Sequence, residues 1–147
     1  MPRRPRHALP PDGIYHVTSR GVDRDLIVRD LHDWVALQHL VLAAERRFDW
    51  KYDAYCLMSS HFHLLVRTPL ARLSEGMHWL NGLYAQRFNR RWGRVGHLFQ
   101  SRFEARVMRD ERHWRNTCDY ILGNPVKAGL CELAEDWPWS GGRHSRR

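Results

Sequence analysis

Apolar positions along this chain alternate in some stretches and recur at three-and-four spacing in others, and their order predicts a mixed fold. Ile14-Tyr-His-Val-Thr-Ser19 alternates as a strand and is closed by Arg20-Gly21. Asp30 stands where a helix cap belongs, ahead of Leu31, Trp34, Val35, Leu37, Leu40, Val41 and Ala44. Their spacing predicts an amphipathic helix reaching Arg47. Tyr52 to Met58 reads as a second strand, Ser59-Ser60 as a short turn and His61 to Arg67 as a third strand, which together make an antiparallel hairpin. Thr68-Pro69 breaks the chain, and Leu73, Met77, Leu80, Tyr84 and Phe88 then form a second helical stripe that Gly93 and Gly96 end. Phe103 to Met108 is a fourth strand. Asp110 caps a third helix with Trp114, Cys118, Ile121 and Leu122 on its apolar side, and Asn124-Pro125 ends or kinks it. Trp137-Pro-Trp-Ser140 reads as a short aromatic clasp.

The order strand, helix, strand, strand, helix, strand is the split β-α-β, ferredoxin-like arrangement, here with an added C-terminal helix. The expected class is α+β, with an antiparallel sheet and helices on one face. The first and third strands are then central, and Tyr15 or Val17 is the expected neighbour of His61 and His63 on the third. With 147 residues, the expectation is one domain over 13–141, a flexible basic arm over 1–12 and a basic tail over 142–147.

Composition adds a partner to this picture. Hydrophobic residues make up 43% of the chain, yet no apolar run approaches the roughly 20 residues that span a bilayer. The basic N-terminus is not followed by an apolar segment of the kind a signal peptide needs. Cys56, Cys118 and Cys131 show no CxxC spacing, which argues against a disulfide framework and a cysteine-based zinc site and fits a reducing cytoplasm. The net charge is +8, and among the basic side chains only Lys51 and Lys127 are lysine. Arginine forks suit phosphates, and the seven tryptophans offer stacking surface, so nucleic acid is the expected partner.

The candidate chemistry centres on His61-Phe62-His63. Successive strand side chains point to opposite faces, so the two imidazoles share a face and can hold one divalent cation between them. A bare pair of this kind is also compatible with ordinary partly buried histidines. On the third helix, Tyr120 falls well off the apolar stripe, and Asn124, His113 and Thr117 lie on nearly the same flank. If this helix crosses the sheet near the histidines, a phenol and an amide reach the same zone. On periodicity alone the plainer reading, Tyr120 as filler at the core edge, is the stronger one.

The run Tyr55-Cys-Leu-Met-Ser-Ser-His-Phe-His-Leu-Leu-Val66 resembles the histidine-hydrophobe-histidine (HUH) signature of single-tyrosine transposases. Four further stretches resemble the branch of REP-associated tyrosine transposases: His16-Val-Thr-Ser-Arg-Gly21, Gly96-His-Leu-Phe-Gln-Ser-Arg-Phe103, Tyr120-Ile-Leu-Gly-Asn-Pro-Val-Lys-Ala-Gly129 and Trp137-Pro-Trp-Ser140. Ser59-Ser60 stands where relatives usually carry Pro-Asn, which changes a turn and not a ligand.

The resemblance implies a transposase-type endonuclease and strand transferase acting on single-stranded DNA. Tyr120 is then the nucleophile, His61 and His63 are metal ligands, and Asn124 stands at the position of a third, polar ligand. The implied cofactor is Mg²⁺ or Mn²⁺, and the product a 5′-phosphotyrosine beside a free 3′-hydroxyl. The implied substrate is single-stranded DNA with a palindromic hairpin, cut at a flanking single-stranded guide. Arg87, Arg90, Arg91, Arg94, Arg102 and Arg106, together with Arg3, Arg4 and Arg6 of the arm, are candidates for DNA contacts. A cytoplasmic, nucleoid-associated monomer or homodimer without membrane contact is expected. The competing classes are a catalytically silent nucleic-acid-binding domain, a hydrolase using metal-bound water, and a structural zinc site.

Overall fold

The computed structural model describes residues 12–100 and 102–144. Its sheet has five strands: β1 (Asp12–Arg20), β2 (Lys51–Leu57), β3 (His61–Pro69), β4 (Glu104–Val107) and β5 (Ser140–Gly141). They lie in the order β4-β1-β3-β2-β5, every pairing antiparallel. Three helices accompany them: α1 (Leu31–Arg47), α2 (Leu70–Trp92) and α3 (Glu111–Lys127). The first four strands and two helices form the split β-α-β unit, with β1 and β3 central and α3 added after it.

The helices begin and end where their chemistry dictates. The Asp30 carboxylate accepts the backbone N–H of Asp33 and caps α1, and Asp110 does the same for His113 at the start of α3. Gly93 takes the left-handed conformation, φ 63°, that closes α2. The buried stripe of α2 is Leu73, Met77, Leu80, Tyr84 and Phe88, joined by Gly76 beneath the Trp50 indole. On α1 the stripe is narrower than the spacing suggests. Leu37, Leu40, Val41 and Ala44 are buried, while Leu31 and Val35 face outward.

The sheet is covered on both faces. Tyr15 and Val17 of β1 and Phe62, Leu64 and Val66 of β3 pack with α1 and α2. Ala54, Cys56 and Leu65 pack with Cys118 and Ile121 of α3 on the opposite face. The expectation of helices on one face therefore holds only for α1 and α2. As an addition to the split unit, α3 spends its own apolar stripe on the face the first two helices leave bare.

The Thr68-Pro69 break falls where β3 passes into α2, whereas Asn124-Pro125 does not end α3. Thr68 and Pro69 belong to β3, and Pro69, in an extended conformation, leads directly into α2. The third helix runs through Pro125 to Lys127. Proline removes only its own N–H there, and the Asn124 carbonyl still accepts the Ala128 N–H.

The aromatic clasp is also a strand. Trp139 stacks on Trp34 at 5.4 Å and Trp137 meets it edge-on at 5.7 Å. Ser140–Gly141 then pairs with Cys56 and Tyr55 as β5. The chain continues alongside β2, with the Arg143 and His144 N–H groups donating to the Tyr52 and Asp53 carbonyls. Asp12 already belongs to β1; the rest of the expected arm, with Arg3, Arg4 and Arg6, lies outside the described residues, as do 145–147. Among the described residues no helix is long and apolar enough to cross a membrane.

Candidate active site

Strand register assembles the site. Thr18 of β1 lies opposite His63 of β3, and Arg20 opposite His61. The expected neighbours Tyr15 and Val17 point to the other face, because a shift of one residue exchanges the two faces of a strand. The side chains beside the histidine pair are Thr18 and Arg20, with His16 diagonally across.

His61 and His63 stand with ring centres 5.1 Å apart and planes nearly perpendicular. The Nδ1 atom of His61 lies 3.2 Å from Ser60 Oγ. Nδ1 of His63 lies 3.1 Å from Thr18 Oγ1 and 3.0 Å from His16 Nε2. His63 is 2% exposed, and its Nε2 is buried with no hydrogen-bond partner among the described residues.

These imidazoles are neutral at physiological pH. Burial holds His63 down to about 2, reinforced by His16, His61 and Arg20. Burial, then Arg106, lowers His16 to about 4. His61 is lowered as well, by burial and then Arg20. A neutral imidazole keeps a lone pair, which is what a metal ligand requires.

The third helix brings Tyr120 to this face. Its ring meets His63 edge-on at 5.6 Å between centres and His16 at 6.1 Å. Tyr120 is 48% exposed, so its ring is open to solvent. The Trp114 indole N–H, two turns earlier, donates to the buried Asp53 carboxylate at 2.8 Å and ties α3 to β2. Asp53 also takes the Arg67 guanidinium at 2.9 Å.

A cavity of about 310 Å³ opens beside Tyr120, lined by His16, Thr18, Arg20 and His63 from the central strands. Glu104 and Arg106 of β4 and His113, Asn116 and Thr117 of α3 complete its wall. His61 and Asn124 are not in this lining. Asn124 follows Tyr120 by one turn of α3 and is partly buried.

His16, Thr18, Arg20, Glu104 and Asn116 carry no role in the sequence reading. A signal for the first three was present. His16, Thr18 and Arg20 alternate on one strand face, and pairing β1 with β3 in the right register places that face against His63.

The candidate DNA-contacting arginines divide into two groups. Arg87, Arg90, Arg91, Arg102 and Arg106 are exposed. Arg91 also bridges Asp30 at 2.6 Å and Asp33 at 2.8 Å, and Arg94 donates to the Gly96 and His97 carbonyls.

The donor set suits a divalent cation. Two imidazoles stand edge to face on one sheet face, one with an orphaned buried Nε2. Among the described residues no three His, Cys, Asp or Glu side chains are arranged to hold a metal ion by themselves.

The family model described as IS200-like transposase matches residues 12–124. A REP-associated tyrosine transposase of Haemophilus influenzae Rd is 33% identical over 59% of this chain and 56% of its own length. That of Escherichia coli K12 is 26% identical over 71% of this chain and 61% of its own. The chain thus spans less than two thirds of either relative. Among solved structures, a REP-associated tyrosine transposase bound to a REP hairpin superposes with a TM-score of 0.69 at 22% identity, over 95% of this chain and 82% of that one. A protein named as a transposase of Deinococcus radiodurans R1 gives 0.52 at 17% identity, over 82% of this chain and 95% of that one. At these identities the two structures speak for the fold.

Proposed function

Because the chain belongs to the IS200-like transposase family, we propose that it nicks and rejoins single-stranded DNA at palindromic hairpins through a covalent bond to Tyr120. The observation that carries this reading is the half-exposed Tyr120 phenol packed edge-on against His63, whose buried Nε2 has no partner. The names of the relatives, and the hairpin in the superposed structure, support the class of substrate.

The Tyr120 oxygen attacks the phosphorus of one phosphodiester. The bond to the 3′ oxygen breaks, that oxygen leaves with a proton as a free 3′-hydroxyl, and the 5′ phosphate stays on the tyrosine. The link conserves the phosphodiester energy, so the 3′-hydroxyl of another strand reseals it without a nucleotide cofactor. Held on a helix pinned to the sheet through Trp114 and Asp53, the phenol needs little ordering before attack. Arg20 and Arg106 line the cavity and supply cationic donors for the phosphates on either side of the cut. His61 and His63 would hold Mg²⁺ or Mn²⁺, with Asn124 as the third protein ligand. When bound there, the cation would supply Lewis-acid stabilisation of the phosphate charge.

Incubation with end-labelled single-stranded hairpin DNA and Mn²⁺ tests the reading. An SDS-resistant protein–DNA species is expected, absent with EDTA or with Tyr120→Phe. Hairpin binding without the species indicates a silent binding domain, and cleavage that survives Tyr120→Phe indicates a hydrolase.

A further inference from the structure

We propose that His16 and Thr18 are positioning residues that hold His63 in the one tautomer able to bind the cation, with the proton on Nδ1 and the lone pair on Nε2. The inference rests on the metal-ligand role proposed for His63.

Three polar atoms form a closed cluster behind the His63 ring. Thr18 Oγ1 lies 3.1 Å and His16 Nε2 lies 3.0 Å from His63 Nδ1, and these two are 3.5 Å apart. Thr18 is buried at 6% exposure, and the register sets it directly opposite His63. A hydroxyl in that position needs partners, and the cluster supplies them.

Only a few proton arrangements satisfy the cluster. In one, the His63 Nδ1–H donates to Thr18 Oγ1, whose own proton goes to His16 Nε2. Every atom in the cluster then has a partner, and Nε2 of His63 is left as a bare lone pair. In the other, His16 or Thr18 donates to His63 Nδ1, so the proton of His63 must sit on Nε2. That places an N–H donor in a buried position with no acceptor among the described residues. Buried N–H groups without acceptors are among the rarest features of folded proteins, and an N–H cannot ligate a cation. The first arrangement is therefore the ligating one. His61 has the same layout with a single partner, Ser60 Oγ at 3.2 Å from its Nδ1. Partners of this kind, which fix ring orientation and raise ligand basicity, account for 10- to 100-fold of metal affinity in other sites.

The tautomer is read directly by long-range ¹H–¹⁵N correlation NMR of imidazole-labelled, metal-free protein. The wild type is expected to show His63 protonated at Nδ1, and Thr18→Val/His16→Phe to show a mixture or the Nε2–H form. A wild-type His63 protonated at Nε2 overturns the proposal. Mn²⁺ affinity, measured by titration with paramagnetic detection, supplies the second arm. Thr18→Val/His16→Phe is expected to bind Mn²⁺ about 10- to 100-fold more weakly, and Thr18→Ser to stay within a few-fold of wild type. If His63→Ala abolishes binding while the double variant binds as wild type, the positioning role is overturned and the metal reading stands. If neither wild type nor His63→Ala binds Mn²⁺, the metal reading falls and this inference with it.

Discussion

At the scale of single residues, one imidazole and one carboxylate show how surroundings decide charge. His63 sits in the sheet face at 2% exposure and stays neutral because no solvent is there to support a charge. A ligand role predicts stabilisation by mass action. At Mn²⁺ about 100-fold above its dissociation constant, the wild type should gain about 2.7 kcal/mol. His63→Ala should gain nothing, as read from thermal midpoints with and without the ion. Asp30 is the opposite case, exposed and held by a cation. The Arg91 guanidinium lowers its carboxyl from the ordinary value near 3.8 to about 2, so the charged form is favoured in the folded state. Its contribution to stability is then complete above the unfolded value and is lost as pH falls toward 2. Asp30→Asn keeps a capping oxygen and loses the pair. Denaturation midpoints from pH 6 to 2 should show a gap between wild type and variant that closes at the acid end.

Among elements, the decisive relation is how α3 reaches the sheet. Cys118 and Ile121 supply the apolar contact, and Trp114 on Asp53 supplies the polar one. Asp53→Ala leaves the Trp114 N–H without its acceptor. Arg67, 45% exposed at the side chain, remains solvated and adds little. A loss of about 1–3 kcal/mol is expected in urea denaturation, with a slower appearance of the DNA adduct.

Much of this arrangement was legible beforehand. Asp30 and Asp110 announce their helices, and the five apolar residues of α2 all face inward. The HxH alternation, the tyrosine helix and the split β-α-β order were readable too. What escaped was non-local. His16 lies 47 residues from His63, and no turn chemistry sets the β1–β3 register, so the side of the sheet that Thr18 and Tyr15 each face was exchanged. β5 has two residues, too few to show a period. Pro125 reads as a stop or a kink because local rules disfavour it, and the helix nonetheless runs on to Lys127.

For the whole molecule, charge would govern the DNA binding proposed for it. The chain carries +8 with almost every cation an arginine, but these arginines are not equivalent. Arg106 lines the cavity and is exposed, while Arg91 is committed to Asp30 and Asp33. In the logarithmic dependence of hairpin affinity on salt, Arg106→Ala should reduce the slope by about 0.7 to 0.9, one phosphate contact. Arg91→Gln should leave the slope unchanged and lower stability instead. The central claim is more specific than binding: one phenol oxygen takes the cut 5′ phosphate. Peptide mass spectrometry of protein incubated with hairpin DNA and Mn²⁺, then digested with nuclease and protease, tests it most directly. The account predicts a nucleotide-phosphate mass increment on the peptide carrying Tyr120, localised to that residue. Cleaved DNA with an unmodified Tyr120 peptide, or with the increment on another residue, would contradict it.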